Sequence, residues 1–267
     1  MSAAAGLLTV LARAGIPHDH WPVAAGSPNS LPLHRLVVAD DPTAFEPFED
    51  ATVAVVPLGT AGAAPRFAVA MAGAVPPVVR AEVEAIAERS SRDRPLAPVA
   101  GEVGRLLHLL CRARRARRVL DIGAGAGTAT LWMAAALRQP GGRLTAIERD
   151  SALRTIATGA VGRAGLAGAV DLRLGDAGRL IDALDGRFDV VLFDEAATER
   201  EGHLLQLLEG GHVGSRALLC SHGGRREPAA LARLHAQLQV RPEIVASTSL
   251  GVGDGLFVAV AAGAPQV

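Results

Sequence analysis

From residue 118 onward the apolar positions fall into short runs that alternate with amphipathic stretches. The runs predict strands at 118–122, 143–148, 169–174, 188–194 and 215–221. The stretches between them predict helices at 128–139, 151–164, 202–210 and 228–238. In the helix at 151–164, Leu153, Ile156, Ala157, Ala160 and Val161 share one face. FDVVLFD is apolar almost throughout, as a central parallel strand covered on both sides would be. Two last strands, near 242–248 and 255–261, are joined by GVGDG with no helix between them. They should pair as an antiparallel, hairpin-like edge. The pattern is that of an α/β chain with a mostly parallel, seven-stranded sheet and an antiparallel last strand.

Upstream the pattern is mixed. Residues 4–14 read as a helix that stops at Gly15 and Pro17. Residues 31–40 and 51–59 read as strands around a Pro-punctuated loop, and 67–75 is a third short run. Pro76 and Pro77 open a helix with Val79, Val83, Ile86 and Ala87 on one face. Pro95 and Pro98 mark a boundary, giving a small α/β domain at 1–95 and a second domain at 96–267. The second begins with an amphipathic helix at 101–114.

The chemistry concentrates at the first strand of the second domain. RVLDIGAGAGT carries Gly123, Gly125 and Gly127 between a buried strand and a helix start. Such a turn needs glycine where the backbone takes unusual dihedrals and a ligand comes close. The helix start offers unpaired N–H groups to an anionic ligand group. Asp121 lies two residues earlier, placed to meet a cationic or amine-bearing ligand. Glu148 ends the second strand, where an acid accepts hydrogen bonds from a ribose diol, with Arg149 beside it. Asp176 follows the third strand, in place for an adenine amine, next to Ala177. Three acids at three successive strand ends are more specific than the glycines alone. A nicotinamide dehydrogenase would call for GxGxxG, whereas the spacing here is GxGxG.

Composition narrows the partners. Lys+Arg and Asp+Glu both number 27, so no global charge favours nucleic acid or an anionic membrane. The arginine run at 112–118 reads as a solvated helix end. Aromatic residues are 3% of the chain, too few for a base-stacking surface. Cys111 and Cys220 lie in apolar segments without metal-ligand spacing and read as buried, reduced thiols. His18 and His20 form an HxH pair in a loop, without a third ligand. No leader or membrane span is apparent, and a cytoplasmic location is expected.

The glycine turn, GGRLTAIERD, VDLRLGDA, FDVVLFD and the terminal GDGLFVAV together resemble a class I S-adenosylmethionine-dependent methyltransferase of the catechol-type O-methyltransferase family. The resemblance covers about 96–267 and implies a Rossmann-like methyltransferase fold. It implies that the Gly123–Gly127 loop and Thr128 cradle the methionine part of S-adenosylmethionine. Glu148 would hold the ribose, Asp176 and Ala177 would face the adenine, and Asp194 would stand beside the methyl-transfer centre. A small-molecule substrate and a homodimer are further implications. Residues 31–59, with the following Pro-opened helix and RPLAPV, also resemble the N-terminal domain of purine-catabolism-type regulators, which implies a sensing or docking module; a lid over the site is the other reading.

The departures from the family are specific. Its divalent cation is held by an Asp after strand four and an Asp-Asn pair after strand five. Here Asp194 is present, but the pair aligns with Ser221 and His222, and a family Lys aligns with Ala197. The small hydroxyl residue of the glycine loop is Ala129. The cofactor half is kept, and the metal half makes a poor Mg²⁺ site. His222 is then the candidate general base, oriented by Asp194, with His203 a second candidate. Two functions follow: a metal-independent O-methyltransferase, or a non-catalytic cofactor-binding sensor or scaffold.

Overall fold

The computed structural model describes residues 3–21, 36–39, 53–58, 67–72, 75–92, 96, 98–137, 141–223 and 228–262. Most of 31–59, which carries the regulator resemblance, lies outside them, as do residues 224–227.

Seven strands form the main sheet: β5 (Arg118–Ile122), β6 (Arg143–Glu148), β7 (Val170–Leu174), β8 (Phe188–Phe193), β9 (Val213–His222), β10 (Ile244–Leu250) and β11 (Leu256–Ala261). Their order is β10-β11-β9-β8-β5-β6-β7. All neighbours are parallel except β11, which runs antiparallel to both β9 and β10. The antiparallel hairpin expected at the edge is present: β10 takes the edge, and β11 lies beside it, inside the sheet. The sequence of β11 explains this, since all six residues LFVAVA are buried, which only an interior strand allows.

Period-two alternation sends the strand residues to two faces. Val119, Val190, Leu218 and Val258 face one core, and Leu120, Val191, Leu219 and Phe257 the other. The second core is closed by α6 (Ala177–Ile181), α7 (Ala197–Glu209) and α8 (Pro228–Gln239). The first is closed by α1 (Ala3–Arg13) and α3 (Gly101–Arg114). Between α4 (Thr128–Ala134), α5 (Ser151–Arg163) and α2 (Pro77–Arg92) lies a third cluster around Trp132, Leu131, Val83 and Ile86.

A four-stranded sheet is built by β1 (His18–Trp21), β2 (Leu36–Ala39), β3 (Val53–Leu58) and β4 (Phe67–Ala72), in the order β1-β2-β4-β3. The HxH segment is therefore a strand, paired parallel to β2, and not a loop. Leu36, Val38 and Val56 of this sheet share a core with Leu106, Leu110 and Val258. Helix α3 is covered on both sides, so it is buried almost all round and not merely along one stripe. Cys111 and Cys220 are buried and free, as expected. Among the described residues no helix is long and apolar enough to cross a membrane.

Candidate functional site

The site opens at the carboxyl ends of the parallel strands, where open α/β sheets bind ligands. After β5 the chain passes Gly123, Gly125 and Gly127 at φ +87°, +55° and +92°. The Gly123 and Ala124 N–H groups both donate to the Ile147 carbonyl at 3.0 Å, tying the loop to β6. A Cβ on Gly123 would stand 2.8 Å from the Asp194 carbonyl oxygen. Glu148, 7% exposed, clamps the loop from below. Its Oε2 accepts from the Gly125 N–H and its Oε1 from the Asp150 N–H, both at 2.7 Å. Each oxygen keeps a second lone pair for a ligand hydroxyl. Thr128 Oγ1 accepts from the Val99 N–H at 3.0 Å, pinning the segment before α3. Asp176 caps α6 by accepting from the Arg179 N–H at 3.1 Å.

These residues line one cleft of about 370 Å³, within the size of small-molecule sites. Gly123, Gly125, Thr128, Glu148, Arg149, Asp176, Ala177, Asp194 and His222 all border it. Two residues expected there do not. Gly127 starts α4 and faces α5, where a Cβ would come within 2.9 Å of the Ala157 Cβ. Asp121 is fully buried beneath the cleft. Burial pushes its carboxyl up to about 7, against the Thr130 hydroxyl, which donates to Oδ2 at 2.6 Å. The nearby charges of Asp194 and Glu148 push the same way as burial. Asp121 is therefore not an exposed anion waiting for a cationic ligand.

At the other end, the tips of β8 and β9 meet the start of α7. His222, 2% exposed, places Nδ1 2.8 Å from Asp194 Oδ1. Its Nε2 is buried and has no partner among the described residues. Three residues that sequence reasoning passed over complete this end. Arg200, 8% exposed, donates from Nε (2.8 Å) and Nη2 (2.5 Å) to the Glu195 carbonyl and from Nη1 to Ser221 Oγ (3.1 Å). Glu195 holds His203 Nδ1 at 2.8 Å, and burial raises the Glu195 carboxyl above its usual range. Glu199 pairs with Arg149 at 3.0 Å across the cleft mouth.

The residues fit an S-adenosyl cofactor. The glycine turn leaves an open cradle at Gly125, where a Cβ would meet only the Leu96 oxygen at 4.0 Å, and acids stand at the β6 and β7 ends. They do not fit the family's divalent cation. Asp194 Oδ1 already engages an imidazole, and Ser221 Oγ already accepts from a guanidinium. A hard cation requires several oxygen ligands. Among the described residues, no three His, Cys, Asp or Glu side chains are grouped to hold a metal.

A family model described as O-methyltransferase matches residues 81–261, about two thirds of the chain. The chain belongs to the O-methyltransferase family. A catechol O-methyltransferase of Niastella koreensis is 35% identical over 104 residues, 38% of this chain and 47% of that one. A catechol O-methyltransferase of Mycobacterium tuberculosis is 34% identical over 111 residues, 41% of this chain and 50% of that one. The matches span about half the length of these two relatives. Among solved structures, the O-methyltransferase TomG of Streptomyces achromogenes, described as involved in tomaymycin synthesis and in complex with SAM, superposes with a TM-score of 0.60 at 28% identity. That likeness covers 70% of this chain and 90% of TomG. Family membership accounts for the β11 insertion.

Proposed function

We propose that this O-methyltransferase family member methylates a hydroxyl of a small molecule without a metal ion, using His222 as general base. The observation that carries the reading is the Asp194–His222 pair: Nδ1 is held by the carboxylate, and Nε2 is buried, without a partner among the described residues, and part of a cleft-lining residue. Asp194 accepts the Nδ1 proton, which fixes the tautomer with its lone pair on Nε2. Cofactor binding falls to the Gly123–Gly125 turn, Glu148 and Asp176. When bound, the cofactor supplies a methyl group activated on sulfonium sulfur. The chain orients the acceptor, takes its proton at Nε2 and keeps water from competing. The small α/β segment at 1–95 serves in this reading as part of the cover over the fold. A homodimer in the cytoplasm completes it.

The test is His222→Ala, with S-adenosylhomocysteine binding by calorimetry beside turnover on a hydroxyl-substrate panel. Unchanged binding with turnover lower by about 10²–10⁴-fold is expected. Binding without turnover in the unmutated protein would favour the sensor or scaffold reading. No binding at all would remove both.

A further inference from the structure

Arg200 stands where the two strand ends that carry the family's cation ligands converge. Its guanidinium bridges the turn after β8, through the Glu195 carbonyl, and the tip of β9, through Ser221 Oγ. It lines the same cleft as Asp194 and His222, and Gly223 lies against it, with a Cβ there only 3.6 Å from Nη2. Two bonds to one carbonyl and one to a hydroxyl fix the fork from both sides, and 8% exposure leaves little water to screen its charge. The acids around it are each engaged: Asp194 with His222, Glu195 with His203, and Glu199 with Arg149. Glu195 also feels the Arg200 charge directly.

We propose that Arg200 is the fixed cation of this site: it stabilises the oxyanion of the acceptor as His222 removes the proton, so a single acidic hydroxyl suffices and a chelating vicinal diol is not required. This rests on the methyltransferase reading. The chemistry sets the acceptor class. As a base, free imidazole falls short of a phenolate by about three to four powers of ten. It falls far shorter of the conjugate base of an alcohol as weak as water. One buried guanidinium helps close the first gap and cannot close the second. The proton moves from the acceptor oxygen to His222 Nε2. The oxygen then forms its bond to the methyl carbon as the sulfur–methyl bond breaks, and the sulfonium leaves as a neutral thioether.

The test uses the full chain saturated with S-adenosylhomocysteine and 4-nitrophenol, a one-hydroxyl probe whose ionised form is coloured. Calorimetry first checks that S-adenosylhomocysteine binds; if it does not, the methyltransferase reading itself fails. With it bound, the probe should ionise at least one pH unit lower on the protein than in solution, a tenfold shift. Excess EDTA should leave that shift unchanged. Arg200→Gln, which removes the charge, should abolish it while S-adenosylhomocysteine still binds. Ser221→Ala, which removes only the Nη1 anchor, should reduce it at least threefold and serves if Arg200→Gln does not fold. A probe that does not bind, one that ionises as in solution, a shift that EDTA removes, or a shift unaltered by these substitutions overturns the role of Arg200 and leaves the cofactor reading standing.

Discussion

Alanine at Gly125 and at Gly127 should separate ligand contact from internal packing within one turn. Both residues have positive φ, +55° and +92°, and alanine in the left-handed region costs about 1–2 kcal/mol. At Gly127 the new methyl would also stand 2.9 Å from the Ala157 Cβ and 3.1 Å from its Cα, so α4 and α5 must move apart. Overpacking of that kind adds about 1–3 kcal/mol. Gly127→Ala should therefore lose about 2–5 kcal/mol. At about 2–4 °C per kcal/mol for a chain of this size, its Tm should fall by about 4–20 °C. Gly125→Ala meets only the Leu96 oxygen at 4.0 Å and should lose about 1–2 kcal/mol, or about 2–8 °C. Gly125 lines the cleft, so under the proposed reading S-adenosylhomocysteine affinity should drop at least about tenfold, equivalent to about 1.4 kcal/mol. Thermal melts with and without S-adenosylhomocysteine, backed by calorimetry, give both quantities. A Gly125→Ala protein that melts as low as Gly127→Ala yet binds S-adenosylhomocysteine normally would refute the assignment of Gly125 to the ligand.

Two further expectations rest on the buried acids. Asp121 holds its proton in the fold up to about pH 7, whereas an unfolded aspartate releases it near 3.9, so stability falls as pH rises from about 4 to 7 and is level above that. The full loss is about 4 kcal/mol; urea unfolding of Asp121→Asn at pH 5 and pH 7.5 should show a much flatter dependence, and an equal dependence would contradict the placement of the proton. Glu148→Ala leaves the Gly125 and Asp150 N–H groups without their acceptor, and S-adenosylhomocysteine affinity should fall by about 10–100-fold in calorimetry, with a smaller loss showing that the carboxylate holds neither loop nor ligand.

Strand and helix order was legible because the central strands are runs of apolar residues and the outer helices keep an apolar stripe. The glycine turn and its acids were legible because their spacing is local. What the pattern hid depends on distant pairing. The buried run LFVAVA looks the same at an edge or inside a sheet, and only its partners β9 and β10 decide. The Asp121 carboxylate was misplaced because nothing in the sequence announces the Thr130 hydroxyl turning back onto it. Arg200 was missed for a more instructive reason. The sequence places the helix start near 202, but α7 begins at Ala197, so Arg200 lies on the same helix as His203, three residues before it, rather than in the loop ahead of it. Two groups of Glu195, its carbonyl and its carboxylate, receive these two side chains, and no periodicity in the sequence marks that meeting.

The packing of α1 against β10 and β11 sets a timetable for folding. Leu7, Val10 and Leu11 find their core partners Leu250, Val258 and Val260 some 240 residues later. At ribosomal rates of about 5–20 residues per second, the first helix waits roughly 12–48 s before its partner strands exist. In that interval its apolar face is unsatisfied, and the closing contact is among the most non-local a chain of this length can make, which slows folding. Expression at reduced translation speed lengthens the exposure rather than relieving it, so chaperone supply, and not slower synthesis, is the lever for yield.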